Sequence, residues 1–460
     1  LETEPQAPGP EEISTSVTKR HGYALLSALA ALVVILSGVI YVTTRHDHGT
    51  PSGTVAGNGP HRGTGVAPAS AGTWVGAWAT APSGVEPDTA TTGTAGRSVR
   101  NVVHVGIGGT SARITLSNVY GQSPLTIAHA SLAVSAGHDT AAARAETMRR
   151  LTFGGTTTVV IPAGGQAVSD AVRVNIPQDT DVLVTTYSPT SSGPVTYHKS
   201  ARQTSYIAEG DRTEDATGTP FAEETPFWRY LTALDVINHE TNGTVVVFGD
   251  SITDGITSTV DADRRWTDVL SQRLRAAGQS GENVPRYSVV NEGISGNQIL
   301  VGDLRRAADS PSGISRFDRD VLGRPNAKVV VVELGINDIL RNPRLADPYK
   351  ITDGLRVLVR QAHAHGLKVV GATLMPLGGH KKWTSAREIV REQVNAEIRA
   401  GKVFDAVVDF DAALRDPYAP HELRPEYDSG DHLHPSDLGF RKMAETFDLR
   451  LLKGAGQAEL

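Results

Sequence analysis

Beyond residue 241 the chain keeps returning to the same pattern, a short, unbroken apolar run of strand length. TVVVFGD at 244, YSVVN at 287, KVVVVELG at 328, KVVGATL at 368 and AVVDF at 406 lack the polar alternation of a strand with one wet face. Such runs belong to strands covered on both sides, which is the situation of a parallel sheet between two helical layers. Helical spacing separates them: Trp266, Val269, Leu270 and Leu274 share one face, and Ile351, Leu355, Leu358 and Ala362 share another. Phe440, Met443, Ala444, Phe447 and Leu451 form a third face. Ser385 with Glu388 fits a capping box, and Ser436 fits the N-cap of the last helix. The pattern predicts a three-layer α/β domain over residues 241–460.

Residues 73–240 have a different period. NVVHV at 101, ARITLSN at 112, TTVVI at 157, AVRVNI at 171 and DVLVTTY at 181 are short β-type runs separated by turn residues. They predict an antiparallel β-sandwich or jelly-roll-like accessory domain. Gly106, Gly108 and Gly109 in VGIGG are spaced like a dinucleotide loop, but no helical pattern follows, so a hairpin turn is expected there.

Nearer the start, residues 23–42 carry no charge. As a helix, 20 residues at ~1.5 Å each would span one bilayer core, and the segment is apolar on every face. A transmembrane anchor is expected at 22–43. Lys19 and Arg20 precede it and Arg45 follows, so charge counting places residues 1–21 in the cytoplasm and the bulk of the chain outside the cell membrane. Secretion after cleavage is the alternative. From 46 to 72, Gly and Pro occupy 10 of 27 positions, which makes residues 44–72 a flexible linker with a reach of roughly 30 Å.

Composition narrows the chemistry. With 44 Lys and Arg against 50 Asp and Glu, the net charge is -6, and no basic field exists for nucleic acid. With 0 Cys there is no thiolate nucleophile, disulfide or zinc ribbon. Any catalysis must use oxygen or nitrogen groups, and the place to look is just past the carboxyl ends of the parallel strands. There the runs end in Gly249, Asp250, Ser251; in Ile294, Ser295, Gly296, Asn297; and in Gly335, Ile336, Asn337, Asp338. Asp431, His432, Leu433 and His434 precede the last helix.

Ser251 is a poor nucleophile without a base, an imidazole supplies one, and the imidazole needs a partner to fix its tautomer. Asp431 and His434 are three residues apart, within reach of that pairing. A tetrahedral oxyanion would find donors in the backbone N–H groups of Ser251 and Gly296 and in the side-chain amide of Asn337. Asp250 is expected to brace the nucleophile turn by hydrogen bonding.

GDSIT, NEGISGN, GIND and DHLHP, in this order on these strand ends, resemble the four blocks of the SGNH (GDSL-type) hydrolases. The resemblance covers about residues 244–453 and implies a flavodoxin-like α/β fold. It also implies Ser251 as nucleophile, His434 as general base, Asp431 as its orienter, and Gly296 and Asn337 as oxyanion donors, with no cofactor and no metal. ARITLSNVYG at 112, VTYHKSA at 195 and FDAVVDFDAALRDP at 404 are similar to a bacterial, XynE-like subfamily that carries an N-terminal β domain. The implied activity is cleavage of a carboxylic ester through an acyl-enzyme, the substrate being a small acyl ester, an acylated glycan such as an acetylated carbohydrate, or a lipid.

Competing readings stand beside these. His432 alternates with His434 as a base; Asp431, His432, His434 and His380 could in principle gather a metal; Ser295 lies beside Gly296 but reads as structural. Trp383 and Tyr197 fit either a substrate pocket or plain aromatic packing. An O-acyltransferase would use the same triad, and a glycan-binding surface protein with an inactive scaffold would need none of it.

Overall fold

The computed structural model describes residues 72–302, 311–342 and 346–454. The expected membrane segment and most of the linker lie outside the described residues, among which no helix is long and apolar enough to cross a membrane.

The α/β half is built on a parallel sheet. Its strands lie in the spatial order Tyr287–Gly293, Gly243–Gly249, Ala327–Glu333, Lys368–Ala372, Ala406–Val408. The first strand in the chain is therefore second in space. The strand Gly243–Gly249 accounts for the apolar runs: Val246 and Phe248 face one layer with Leu355, Leu358 and Ile398, while Val245 and Val247 face the other with Trp266, Leu270 and Phe440. Successive side chains point to opposite faces, and both faces are dry. Helices Pro348–His363 and Ser385–Arg399 cover one side; Trp266–Gln279 and Asp437–Thr446 cover the other. Because the chain leaves Gly243–Gly249 for one neighbour and then crosses to the other, the loops after these strands diverge and open a crevice there.

Two local expectations shift. The cap of Ser385–Arg399 is Thr384, whose Oγ1 accepts the Arg387 N–H, so the helix starts one residue earlier than the Ser385 capping box required. The AVVDF run is a strand only over Ala406–Val408; Asp409 accepts the Ala412 N–H and starts the helix Phe410–Leu414. Ser436 caps the last helix through the Gly439 N–H at 3.2 Å.

The N-terminal half is antiparallel. One sheet holds Thr73–Ala79, Leu231–Asn238, Gly109–Ser117 and Val172–Ile176, with Gln166–Val168 beside Gly109–Ser117. A six-stranded sheet is built around Arg97–Val105 and Thr180–Ser188. Their facing residues, among them Val103, Val105, Ile114, Leu116, Val182 and Leu234, form a common core. VGIGG is not the expected hairpin. Arg97–Val105 and Gly109–Ser117 belong to different sheets, and the glycines carry the chain across; a Cβ on Gly108 would sit 2.1 Å from the Ile176 carbonyl oxygen.

The two halves pack as one compact body. Ala79 and Ala233 of the β half enter the same core as Val246 and Val290 of the α/β half, and the Gly76 N–H donates to Thr244 Oγ1 at 3.2 Å. An ion cluster joins them as well: His104 Nδ1 lies 2.9 Å from Asp181 and 3.1 Å from Asp263. Burial opposes charge on His104, yet the Asp181 hydrogen bond and the surrounding carboxylates raise it to about 9; burial raises Asp263 to about 6. A fragment of residues 241–460 would expose this apolar seam and strand Asp263 without His104. We expect it to aggregate or to lack a cooperative thermal transition by circular dichroism. A soluble fragment with a sharp melt would show the halves to be independent.

Candidate active site

Ser251, Gly296 and Asn337 each lie just past the end of a strand of the parallel sheet, while Asp431 and His434 come from the loop before the helix Asp437–Thr446. At Gly249 a Cβ would lie 2.2 Å from Thr253 Oγ1, so glycine is required for the chain to turn directly into the short helix Ser251–Asp254. Asp250 is the cap of that helix and accepts the Ile252 N–H at 3.1 Å. The turn leaves Ser251 at the mouth of the crevice, where Oγ donates to His434 Nε2 at 2.8 Å. On the other side of the ring, Nδ1–H donates to Asp431 Oδ2 at 2.5 Å. The second Asp431 oxygen accepts the backbone N–H groups of Leu433 and His434 at 3.0 and 2.8 Å. Burial pushes the Asp431 carboxyl up, but the His434 ring and these backbone donors outweigh it and hold the group well below the usual carboxylate range. An ionised Asp431 keeps the Nδ1 proton in place and leaves Nε2 as the acceptor.

His432 turns away. Its backbone takes a φ of +61°, and its Nδ1 bonds Asp428 at 2.6 Å rather than Ser251. The His432–His434 alternative thus separates on geometry. His380 lies close enough to feel the charges of Asp431 and His434, but among the described residues the group whose ligand atoms converge within 4.8 Å is His104, Asp181 and Asp263 in the seam.

Gly296 has a φ of +82°, which favours glycine, and a Cβ there would lie 2.2 Å from Arg341 Nη2, so that any larger residue would also push the Arg341 side chain aside. Asn337 is the second residue of helix Ile336–Arg341. Its Oδ1 accepts from Arg341 Nε at 3.1 Å, and its Nδ2 donates to Asp250 Oδ2 at 3.1 Å. Arg341 thereby sets the orientation of the amide, and one of its two N–H groups is left for a substrate oxygen. Asp250 is fully buried, and burial raises it to about 6 against the pull of the Ile252 N–H, His434 and Asn337.

Several contributors carried no sequence signal. Glu333, inside the apolar VVVVELG run, accepts from Thr253 Oγ1 at 2.9 Å; burial first, and the Asp250 charge second, push it well above the usual carboxylate range. Arg316 is buried and donates to the carbonyls of Gly249 and Glu292 and to Asn297 Oδ1 at 2.8 to 3.0 Å, lying over the Phe248 ring. Arg341 could have been found four residues after Asn337, on the same helical face. Ser295 bonds Asp254 rather than His434. Tyr197 packs edge-on against Phe227 in the β half, and half-buried Trp383 lies against His421.

The model of the GDSL-like lipase/acylhydrolase family matches residues 247–442. Over that stretch the chain is similar to a GDSL-like lipase/acylhydrolase domain. The match includes Ser251, Gly296, Asn337, Asp431 and His434. Among solved structures, this chain is similar to the aryl esterase of M. smegmatis, at 20% identity over 44% of this chain and 95% of that one, with a TM-score of 0.35. A carbohydrate acetylesterase from Sinorhizobium meliloti matches at 18% identity over 44% and 94%, with a TM-score of 0.34. A GDSL-like lipase from Bacteroides thetaiotaomicron matches at 19% identity over 45% and 85%, with a TM-score of 0.32. Comparison with curated proteins finds no match.

Substitutions separate the roles. His434→Ala should abolish ester turnover and His432→Ala should leave it largely intact; the reverse would transfer the base. Asn337→Ala should lower kcat by roughly 100- to 1000-fold, the usual effect of removing one oxyanion donor. An unchanged kcat would remove Asn337 from the oxyanion site.

Proposed function

We propose that the protein is a serine esterase that cleaves carboxylic esters through an acyl-enzyme. The observation that carries this reading is the continuous hydrogen-bonded chain from Ser251 through His434 to Asp431. As Oγ attacks the ester carbonyl, its proton passes to His434 Nε2, and Asp431 stabilises the imidazolium that forms. The carbonyl oxygen becomes an oxyanion, held by the N–H groups of Ser251 and Gly296 and the Asn337 amide. The C–O bond to the alcohol then breaks, and His434 returns its proton to the departing oxygen. Water attacks the acyl-Ser251 ester by the same route in reverse, releasing the acid and restoring Ser251.

A fluorophosphonate probe should label Ser251, and Ser251→Ala should lose both the label and turnover of p-nitrophenyl esters. Labelling at another residue would sink the assignment. A panel running from acetate to longer acyl chains, beside acetylated xylan and a lysophospholipid, would place the substrate among acetyl-carbohydrates, aryl esters and lipids.

The same proposal extends to location. An uncharged segment at 23–42 flanked by Lys19 and Arg20, followed by a Gly- and Pro-rich stretch, fits a cell-membrane anchor with the hydrolase domain held outside. Protease added to intact cells should then degrade the body from the linker onward and spare residues 1–21. Protection of the whole chain would invert the topology.

A further inference from the structure

The loop that presents Gly296 is clamped from two sides, and one clamp comes from the β half. On the α/β side, Arg316 holds the Glu292 carbonyl and Asn297 Oδ1, the residues that bracket the loop. On the other side stands Asp254, the last residue of the nucleophile helix Ser251–Asp254. Its Oδ2 accepts both the backbone N–H of Ser295, at 2.9 Å, and the Ser295 hydroxyl. Its Oδ1 meets His198 Nε2 at 2.9 Å. His198 lies on strand Thr196–His198 of the β half, and its Nδ1 meets the Ala81 carbonyl oxygen at 2.8 Å.

Both ring nitrogens of His198 therefore face oxygen acceptors, and His198 and Asp254 are each only 3% exposed. A buried carboxylate is costly unless it is paired and hydrogen-bonded. Here burial pushes Asp254 up, but His198, Ser295 and Arg265 outweigh it and hold the carboxyl below its usual range. The pairing is rigid on the β side: His198 lies 5.6 Å from the Trp228 ring, and Trp228 packs edge-on against Trp78 at 4.8 Å. Without His198, Asp254 would be a buried anion that has lost its nearest cation-capable partner, and its grip on Ser295 would compete with the need for water.

We infer that His198 is a positioning residue for ester hydrolysis: through Asp254 and Ser295 it sets the place of the Gly296 N–H in the oxyanion site. The β half thus supplies part of the hydrolase machinery across the seam. The inference rests on the esterase reading only for its kinetic readout, because the order of the 292–297 loop can be measured without any substrate.

The test is made on the full chain. His198→Ala should lower kcat by roughly 10- to 100-fold, less than outright loss of an oxyanion donor, with KM near that of the wild type. Affinity for a boronic acid, which mimics the tetrahedral state, should fall in parallel with kcat/KM. Amide hydrogen exchange of a peptide covering residues 292–298 should quicken, while exchange in the strand Gly243–Gly249 stays as it was. His198→Gln keeps an N–H donor toward Asp254 and should recover part of both losses. Equal loss in the glutamine and alanine variants would overturn the link, leaving His198 a packing residue. Wild-type kcat and wild-type protection of 292–298 in His198→Ala would also overturn it. Should the alanine variant fail to fold, Asp254→Asn decides by the same two measurements: the kcat-specific loss with faster exchange supports the link, and wild-type values overturn it. A wild-type protein inactive on every ester would sink the esterase reading, while the exchange measurement would still judge the His198 clamp.

Discussion

The Gly249 carbonyl oxygen accepts from Arg316 Nη2 at 2.9 Å and from the Ile294 N–H at 3.1 Å, and most of the site depends on that junction. One bond ties the end of the strand before Ser251 to a buried guanidinium, and the other ties it to the start of the loop that carries Gly296. Ser251 and Gly296 lie 45 residues apart in sequence, yet their relative position is set within this short span of backbone. A strand buried on both faces makes the junction stiff, since Val245 to Phe248 cannot shift without disturbing two cores.

The site carries an unusual load of buried carboxyl groups. Asp250, Asp254 and Glu333 lie on or directly beneath the turn that carries Ser251, and Glu292 and Asp320 are buried beside Arg316. Those with firm partners stay in the charged form: Asp254 and Asp320 are held below the usual range although burial opposes it. Those without enough compensation are pushed up by burial, Asp250 to about 6 and Glu292 to about 8. Such groups stabilise the fold poorly but orient their neighbours strongly, which is what a centre that must hold donors in fixed places requires. The seam between the halves follows the same logic, with His104 and His198 each meeting a carboxylate contributed by the α/β half.

Much of the architecture was legible because burial leaves a period in the sequence. The five apolar runs at 244, 287, 328, 368 and 406 all contain strands of the parallel sheet. At two of the places where the reading shifted, a single residue's hydrogen bond was responsible. Thr384 displaced Ser385 as a cap, and Asp409 turned the end of the AVVDF run into a helix start. The VGIGG segment misled because glycines serve close backbone approach as readily as tight turns, and only the neighbouring chain at Ile176 distinguishes the two.

By itself the sequence determined the strand ends, the residues that stand on them, and the chemistry those residue types can perform: Ser251, Gly296, Asn337, Asp431 and His434 were all nameable from order and spacing. Only the tertiary structure decided which histidine meets Ser251, because His432 and His434 differ by a backbone φ and by which carboxylate each ring reaches. It also decided which distant groups support the site. Glu333, Arg316 and His198 lie 82, 65 and 53 residues from Ser251, and no local pattern links them to it. Periodicity records which side of an element is buried, whereas a hydrogen bond between remote side chains leaves no trace until the fold brings its two ends together.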